Sequence, residues 1–166
     1  MIGKFDQAFF EAMISKAQNS PRRRTHHNVH ESYDDPVQRL FVAMLPDSYV
    51  RPHRHTLATK WEFFMVVRGE IDVILFDENG TVTDKITLTA GDDGQCNSLQ
   101  IPPGTWHATV CRAPVVFFEV KQGPYLPEDD KNFATWAPAE GDASVSAFLS
   151  ALKTSGIGDS IPALIG

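Results

Sequence analysis

Four side chains define the chemistry this sequence can do: His53, His55, Glu62 and His107. The first two stand in Arg51-Pro52-His53-Arg54-His55, the third lies in an apolar run, and the last closes Pro102-Pro103-Gly104-Thr105-Trp106-His107. Histidines at i and i+2 on an extended segment project from one face, because side chains alternate along a strand. A carboxylate seven residues on and an imidazole after a Pro-Gly turn complete a set of three histidines and one glutamate. Neutral imidazoles with one carboxylate suit Zn, Fe, Mn, Ni or Cu better than Ca or Mg. A glutamate on the inner face of a strand needs a compensating charge, which a divalent cation supplies.

The elements that must hold these residues read as β-structure. Val37 to Leu45, Trp61 to Val67, Ile71 to Phe76, Thr81 to Thr89, Ser98 to Ile101, Trp106 to Cys111 and Pro114 to Lys121 are short apolar runs. Gly, Pro and Asn turns separate them, a pattern of an all-β sandwich or barrel. Asn79-Gly80 marks a hairpin, since both residues accept positive φ. Alternation places Glu62, Phe64 and Val66 on one face of their strand and Trp61, Phe63, Met65 and Val67 on the other. It also puts Val115, Phe117, Glu119 and Lys121 on one face, and His107, Thr109 and Cys111 on one face.

Helical spacing of Phe5, Ala8, Phe9, Met13, Ile14 and Ala17 predicts an N-terminal amphipathic helix ending at Asn19-Ser20-Pro21. Val145, Phe148, Leu149 and Leu152 predict a C-terminal one, with Gly156 as its cap. Pro21 to Asp35 reads as an extended or looping connection, with Arg22-Arg23-Arg24 as a solvated loop and His26, His27 and His30 exposed. Loops are expected at Ala90 to Gly94 and Asp129 to Lys131, and Phe133, Trp136 and Pro138 read as an apolar strap. The organisation is one domain: an N-terminal helix over 1–20, a barrel over 21–125, and a strap and helix over 126–166.

Composition excludes some classes. A chain of 166 residues with 42% hydrophobic and 22% charged residues is an ordinary globular domain with room for a core. A net charge of -6 disfavours a nucleic-acid binder. No apolar run reaches the roughly 18 residues that span a bilayer. Lys4, Asp6, Glu11 and Lys16 break any signal-peptide core, so the reading is cytoplasmic. Cys96 and Cys111 make no disulfide framework.

The metal-ligand pattern resembles the two sequence motifs of the cupin superfamily: His53-x-His55, Glu62 and Gly69, then Pro102-x-Gly104-x-x-His107. The resemblance implies a cupin-type jelly-roll β-barrel, helices packed outside, with His53, His55, Glu62 and His107 holding a divalent Zn, Fe, Mn or Ni ion. The chain departs from the motifs in a longer gap, Thr56 to Trp61, before the glutamate, in Cys111 where an asparagine is common, and in the placing of Gly94.

Further segments resemble the WbuC family of cupin-fold metalloproteins. They are Pro21-Arg22-Arg23-Arg24 with Asn28 and His30, Pro36-Val37-Gln38-Arg39-Leu40, Phe118-Glu119-Val120-Lys121, Gly123-Pro124-Tyr125 and Trp136-Ala137-Pro138-x-Glu140. That likeness implies a bacterial protein associated with surface-polysaccharide gene clusters, without naming a reaction.

Two function classes stay open. One is an enzyme, an isomerase, lyase or oxygenase, in which the metal polarises a small polar or anionic, sugar-like molecule. Glu119 or His30 would then serve as acid-base groups, and Arg39, Lys121 and Tyr125 would contact substrate. The other is a non-catalytic ligand-binding or sensing cupin. The expected partners are a small molecule and, as the assembly considered, a second copy in a homodimer; no nucleic acid or membrane is expected.

Overall fold

A computed structural model describes residues 2–91, 96–126 and 132–162, so the turns expected at 92–94 and 129–131 lie outside the described residues. The elements are α1 (Gln7–Gln18), β1 (Arg24–Asn28), β2 (Val37–Met44), β3 (His53–Arg54), β4 (Glu62–Arg68), β5 (Glu70–Phe76), β6 (Val82–Thr89), β7 (Ser98–Ile101), β8 (Trp106–Val110), β9 (Val115–Gln122), β10 (Asn132–Phe133) and α2 (Val145–Thr154). The strands form two antiparallel five-stranded sheets, ordered β1-β2-β9-β4-β7 and β10-β3-β8-β5-β6. This is the expected all-β layout with helices packed outside, with one correction: among the described residues the two sheets do not close into a barrel.

Alternation builds the core between the sheets. Leu40, Val42, Met44, Phe64, Val66 and Phe117 from the first sheet meet Ile71, Val73 and Leu88 from the second. The odd-numbered residues of β2 face away, and Phe41 and Ala43 there receive Met13 and Ala17 of α1. Asp6 caps α1, its side chain accepting from the Phe9 amide at 3.0 Å. On the outside of the second sheet, α2 and the strap pack together through Phe148, Leu152, Ala134 and Ala137. Tyr49 pins the strap by donating to the Pro138 carbonyl at 2.9 Å. Phe148 is fully buried and lies 5.9 Å from the Tyr49 ring. Phe148→Ala should destabilise the fold by about 3–5 kcal/mol, read as a lower urea midpoint with an unchanged slope.

Three local expectations change. Gly156 does not cap α2: Ser155 ends it in an extended conformation. The Lys85 ammonium instead takes the carbonyls of Leu152, Lys153 and Ser155 at 2.9–3.2 Å, which meets the orphan acceptors of the last turn. At the β5–β6 turn Gly80 alone adopts positive φ, at 84°, and Asn79 does not. The Asp77 carboxylate accepts from the Asn79 and Thr81 amides and shapes that turn in its place. Finally, Pro21 to Asp35 contributes a full strand, β1, paired along its length with β2.

Candidate metal centre and cavity

The four expected ligands converge. His53 on β3 stands directly opposite His107 on β8, so both imidazoles leave the second sheet on its inner face. Their neighbours Arg54 and Trp106 point outward, where the guanidinium lies 4.3 Å from the indole centroid. His55 follows β3, and the Gly104 amide donates to its carbonyl at 2.7 Å, clamping the Pro-Pro-Gly turn against it. Gly104 sits at φ 78°, which is why the turn needs glycine. Glu62 comes from the facing sheet, at the first position of β4. The site therefore ties the two sheets together.

The longer loop before Glu62 bulges outward. Thr56 to Thr59 are exposed, while Lys60 is buried and its ammonium donates to the carbonyls of Gln122 and Pro124. With the chain pinned there, Glu62, Phe64 and Val66 all turn inward, as alternation requires. The extra length is absorbed by the loop and leaves the strand phase intact.

One ligand atom from each of the four residues lies within 4.8 Å of the other three, and all four side chains are buried. The hydrogen bonds behind the rings decide what this cluster wants. His53 Nδ1 lies 2.9 Å from the Arg51 carbonyl, and His107 Nδ1 lies 3.0 Å from the Thr105 carbonyl. A carbonyl can only accept, so each Nδ1 carries the proton and each Nε2 presents a lone pair to the centre. In the neutral ring His107 Nε2 then faces Glu62 Oε2 at 3.0 Å, acceptor against acceptor, and neither atom has another hydrogen-bond partner among the described residues. His55 Nε2 lies 3.0 Å from the other oxygen, Oε1. With neutral rings a cation placed among them satisfies that geometry; without one, a proton on Nε2 does, making the imidazolium a donor to Glu62. The donor set, three imidazole nitrogens and a carboxylate, fits a divalent transition metal.

Burial pushes the Glu62 carboxyl up, but the adjacent His107 and His55 rings outweigh it and hold the group well below the usual carboxylate range. Glu62 is thus an anion at neutral pH. Glu62→Gln keeps the shape and removes the charge. It should weaken metal binding by more than the roughly 10- to 100-fold seen for residues that only orient a ligand. Competition with a chromogenic chelator measures this; a loss below about tenfold would put Glu62 outside the ligand set.

His53, Glu62 and His107 open onto a cavity of about 280 Å³, and apolar walls come from Val42, Met44, Phe64 and Phe117. Its other wall is polar, with Arg24, Arg51, Glu119 and Tyr125. Of the tri-arginine segment, Arg22 and Arg23 lie in a solvent-facing turn as expected, but Arg24 is buried. Arg24 is 9% exposed, donates to the Tyr49 carbonyl at 2.8 Å, and pairs with Glu140 at 2.6 Å, while Arg22 pairs with the same carboxylate at 2.7 Å. Arg22 and Arg24 meet through a turn in which Arg23 adopts a left-handed φ of 56°, which strand alternation in the sequence does not report. Nothing local in the sequence marks Arg51 or the strap residue Glu140 as their neighbours.

The remaining expected residues divide. Glu119 lines the metal cavity, and both Lys121 and Tyr125 line an adjoining pocket. Lys121 and Glu119 also pair with each other at 3.3 Å. Arg39 is not brought to either cavity. It sits on the outward face of β2 and is exposed, because Gln38 and Leu40 take the inward positions. His30 is buried rather than exposed and lines the adjoining pocket, whereas His26 and His27 are exposed. Cys111 packs in the inner core beside the Met44 carbonyl, and burial pushes its thiol up to about 12, so it is an inert thiol.

Residues 5–88 match the model of a family described as a domain of unknown function (DUF6016). No curated protein matches the chain. Among solved structures, protein SO0799 of Shewanella oneidensis superposes with a TM-score of 0.54 at 9% identity, over 67% of this chain and 73% of that one. An L-ribose isomerase of Cellulomonas parahominis gives 0.52 at 17% identity, over 71% and 72%. A cupin superfamily protein of Desulfitobacterium hafniense gives 0.46 at 16% identity, over 60% and 76%. Among the described residues no helix is long and apolar enough to cross a membrane.

Proposed function

The chain belongs to the DUF6016 family, and from its cavity we propose a mononuclear divalent metal centre that acts on a small polar or anionic, sugar-like molecule. One observation carries the reading: His53, His55, Glu62 and His107 converge within 4.8 Å with acceptors facing acceptors, beside a cavity with a charged far wall. A metal held there would serve as a Lewis acid toward a carbonyl or hydroxyl oxygen. The residues of the chain do the rest. Arg24 and Arg51 draw an electron-rich substrate into the cavity, and the buried walls exclude water. Glu119 is the acid-base group, because its carboxylate lines the same cavity as His53, Glu62 and His107.

The WbuC resemblance supports a bacterial setting near surface-polysaccharide synthesis. Its quoted segments supply Arg22, Arg24, Glu119 and Glu140 to one cavity and His30, Lys121 and Tyr125 to the next. Two free thiols, one exposed at Cys96, suit a reducing cytoplasm. The alternative is a non-catalytic binding or sensing protein, favoured by the small volume of the metal cavity, about 280 Å³, at the lower edge of ligand sites.

The test is metal analysis of protein purified without chelators, followed by proton NMR of an aldose and ketose panel with metal-loaded and metal-stripped protein. Metal-dependent conversion of one sugar is the expected result. Saturable metal-dependent binding with no conversion would favour the sensing alternative, and neither would contradict the proposal.

A further inference from the structure

A smaller cavity of about 150 Å³ adjoins the metal cavity and shares His26, Glu119 and Tyr125 with it as a common wall. Its lining includes His30, 7% exposed, with Nε2 buried and without a hydrogen-bond partner among the described residues. The other ring nitrogen is committed. The Arg39 amide donates to His30 Nδ1 at 3.0 Å, and the Arg39 carbonyl lies 2.9 Å from the same atom. That carbonyl already accepts from the Val29 amide at 2.8 Å and the His30 amide at 3.3 Å. The arrangement that leaves no backbone donor stranded has Nδ1 accepting from the Arg39 amide. The ring proton then sits on Nε2, a buried donor at the pocket with no acceptor among the described residues. A buried donor left unmet is costly, so an oxygen from outside the chain is its natural partner.

The rest of the pocket describes that partner. Its formal charges are Lys121 and Glu119, 3.3 Å apart, which cancel. No surplus charge is left to offset the desolvation of an ionic ligand. The Tyr33 and Tyr125 rings stand 5.2 Å apart on one side, with the Lys121 ammonium 5.3 Å from the Tyr125 centroid. Aromatic faces beside an ammonium, a carboxylate and an imidazole N–H suit a ring bearing several hydroxyls, each able to donate and accept. Close packing fixes the wall: a Cβ on Gly123 would meet the Asp35 carbonyl oxygen, so the segments carrying Tyr125 and Tyr33 approach through a glycine.

We propose that this pocket is a second binding subsite for an uncharged hydroxylated ring, one of whose oxygens accepts from His30 Nε2–H. It rests on the reading of the neighbouring cavity as a small-molecule site, and a single ligand spans both through the shared wall. His30 is here a binding residue, and Glu119 stands where the two halves of the ligand join.

Saturation-transfer NMR on metal-loaded protein tests it, with methyl glucopyranoside, methyl galactopyranoside and methyl mannopyranoside against methyl glucuronide as probes. At least one neutral glycoside should bind in preference to the glucuronide. His30→Phe should weaken that binding by about tenfold with metal content unchanged, the size of one lost hydrogen bond. Because His30→Phe also strands the Arg39 amide, long-range 1H–15N spectra of the unmodified protein give a second reading. The His30 ring should be protonated at Nε2, and that nitrogen should shift when the glycoside is added. Preference for the glucuronide, absence of binding by all the neutral probes, or binding that neither His30→Phe nor the His30 resonance registers would overturn the subsite. Metal measured on the same samples separates the two claims: full metal with no glycoside binding removes the subsite alone, and His30-dependent binding without metal removes the metal centre alone.

Discussion

His107→Ala should lose nearly all of its bound metal, falling from about one ion per chain to a small fraction of that, because each ligand supplies a direct bond to the ion. The residue has no substitute nearby. It stands opposite His53 on the β8 side, where Phe133 of β10 takes the other side, and its Nε2 and that of His55 each lie 3.0 Å from a Glu62 oxygen. Alanine removes a metal-binding nitrogen from the wall of the cavity, where the ring stands 6.4 Å from Phe64 between centroids. His107 is fully buried, so circular dichroism must show the β-structure intact before the metal loss is read as loss of a ligand. Elemental analysis of His53→Ala, His55→Ala and His107→Ala checks the claim. Unchanged metal in all three variants would remove the site.

Acid should strip the metal in a defined order. Protons and metal compete for the same Nε2 lone pairs, so occupancy falls as the pH drops below the ordinary imidazole range near about 6.5. Glu62 behaves differently. Its carboxyl is held well below the usual range, so its anionic form persists as the pH falls and is lost only below its lowered folded value. The sign follows: a depressed carboxyl contributes its charge above that value, and the histidines therefore release the ion first. Titration against a competing chelator should show metal lost between about pH 6.5 and pH 4.5. Full occupancy at about pH 4 with chelator present would contradict a site built on three imidazoles.

Much of this centre was legible in the sequence because it depends on alternation. The period of two places His53 and His55 on one face, and it places Glu62, Phe64 and Val66 on another; the buried side chains follow it. The N-terminal helix and the runs that became β2, β4, β5, β8 and β9 were legible for the same reason, the match of apolar spacing to backbone period. What was not legible depends on distance in the chain. Arg24 meets Glu140 across 116 residues, and nothing near either one signals the other. His30 looked like an exposed loop histidine because its burial comes from β2 and from the segment around Tyr33, which local composition does not report. Arg39 was drawn toward the cavity by its charge, when its odd position beside Phe41 already assigned it to the outer face. Gly156 followed a common capping pattern, and a lysine on β6 did the capping.

The most direct measurement is X-ray absorption on protein loaded with a single metal. The predicted spectrum has three imidazole nitrogens and one carboxylate oxygen around the ion, at about 2.0–2.1 Å and 2.0–2.2 Å for zinc. Glu62→Gln should alter the oxygen shell and leave the imidazole scattering in place. A shell without imidazole scattering, or protein that takes up no transition metal, would contradict the account.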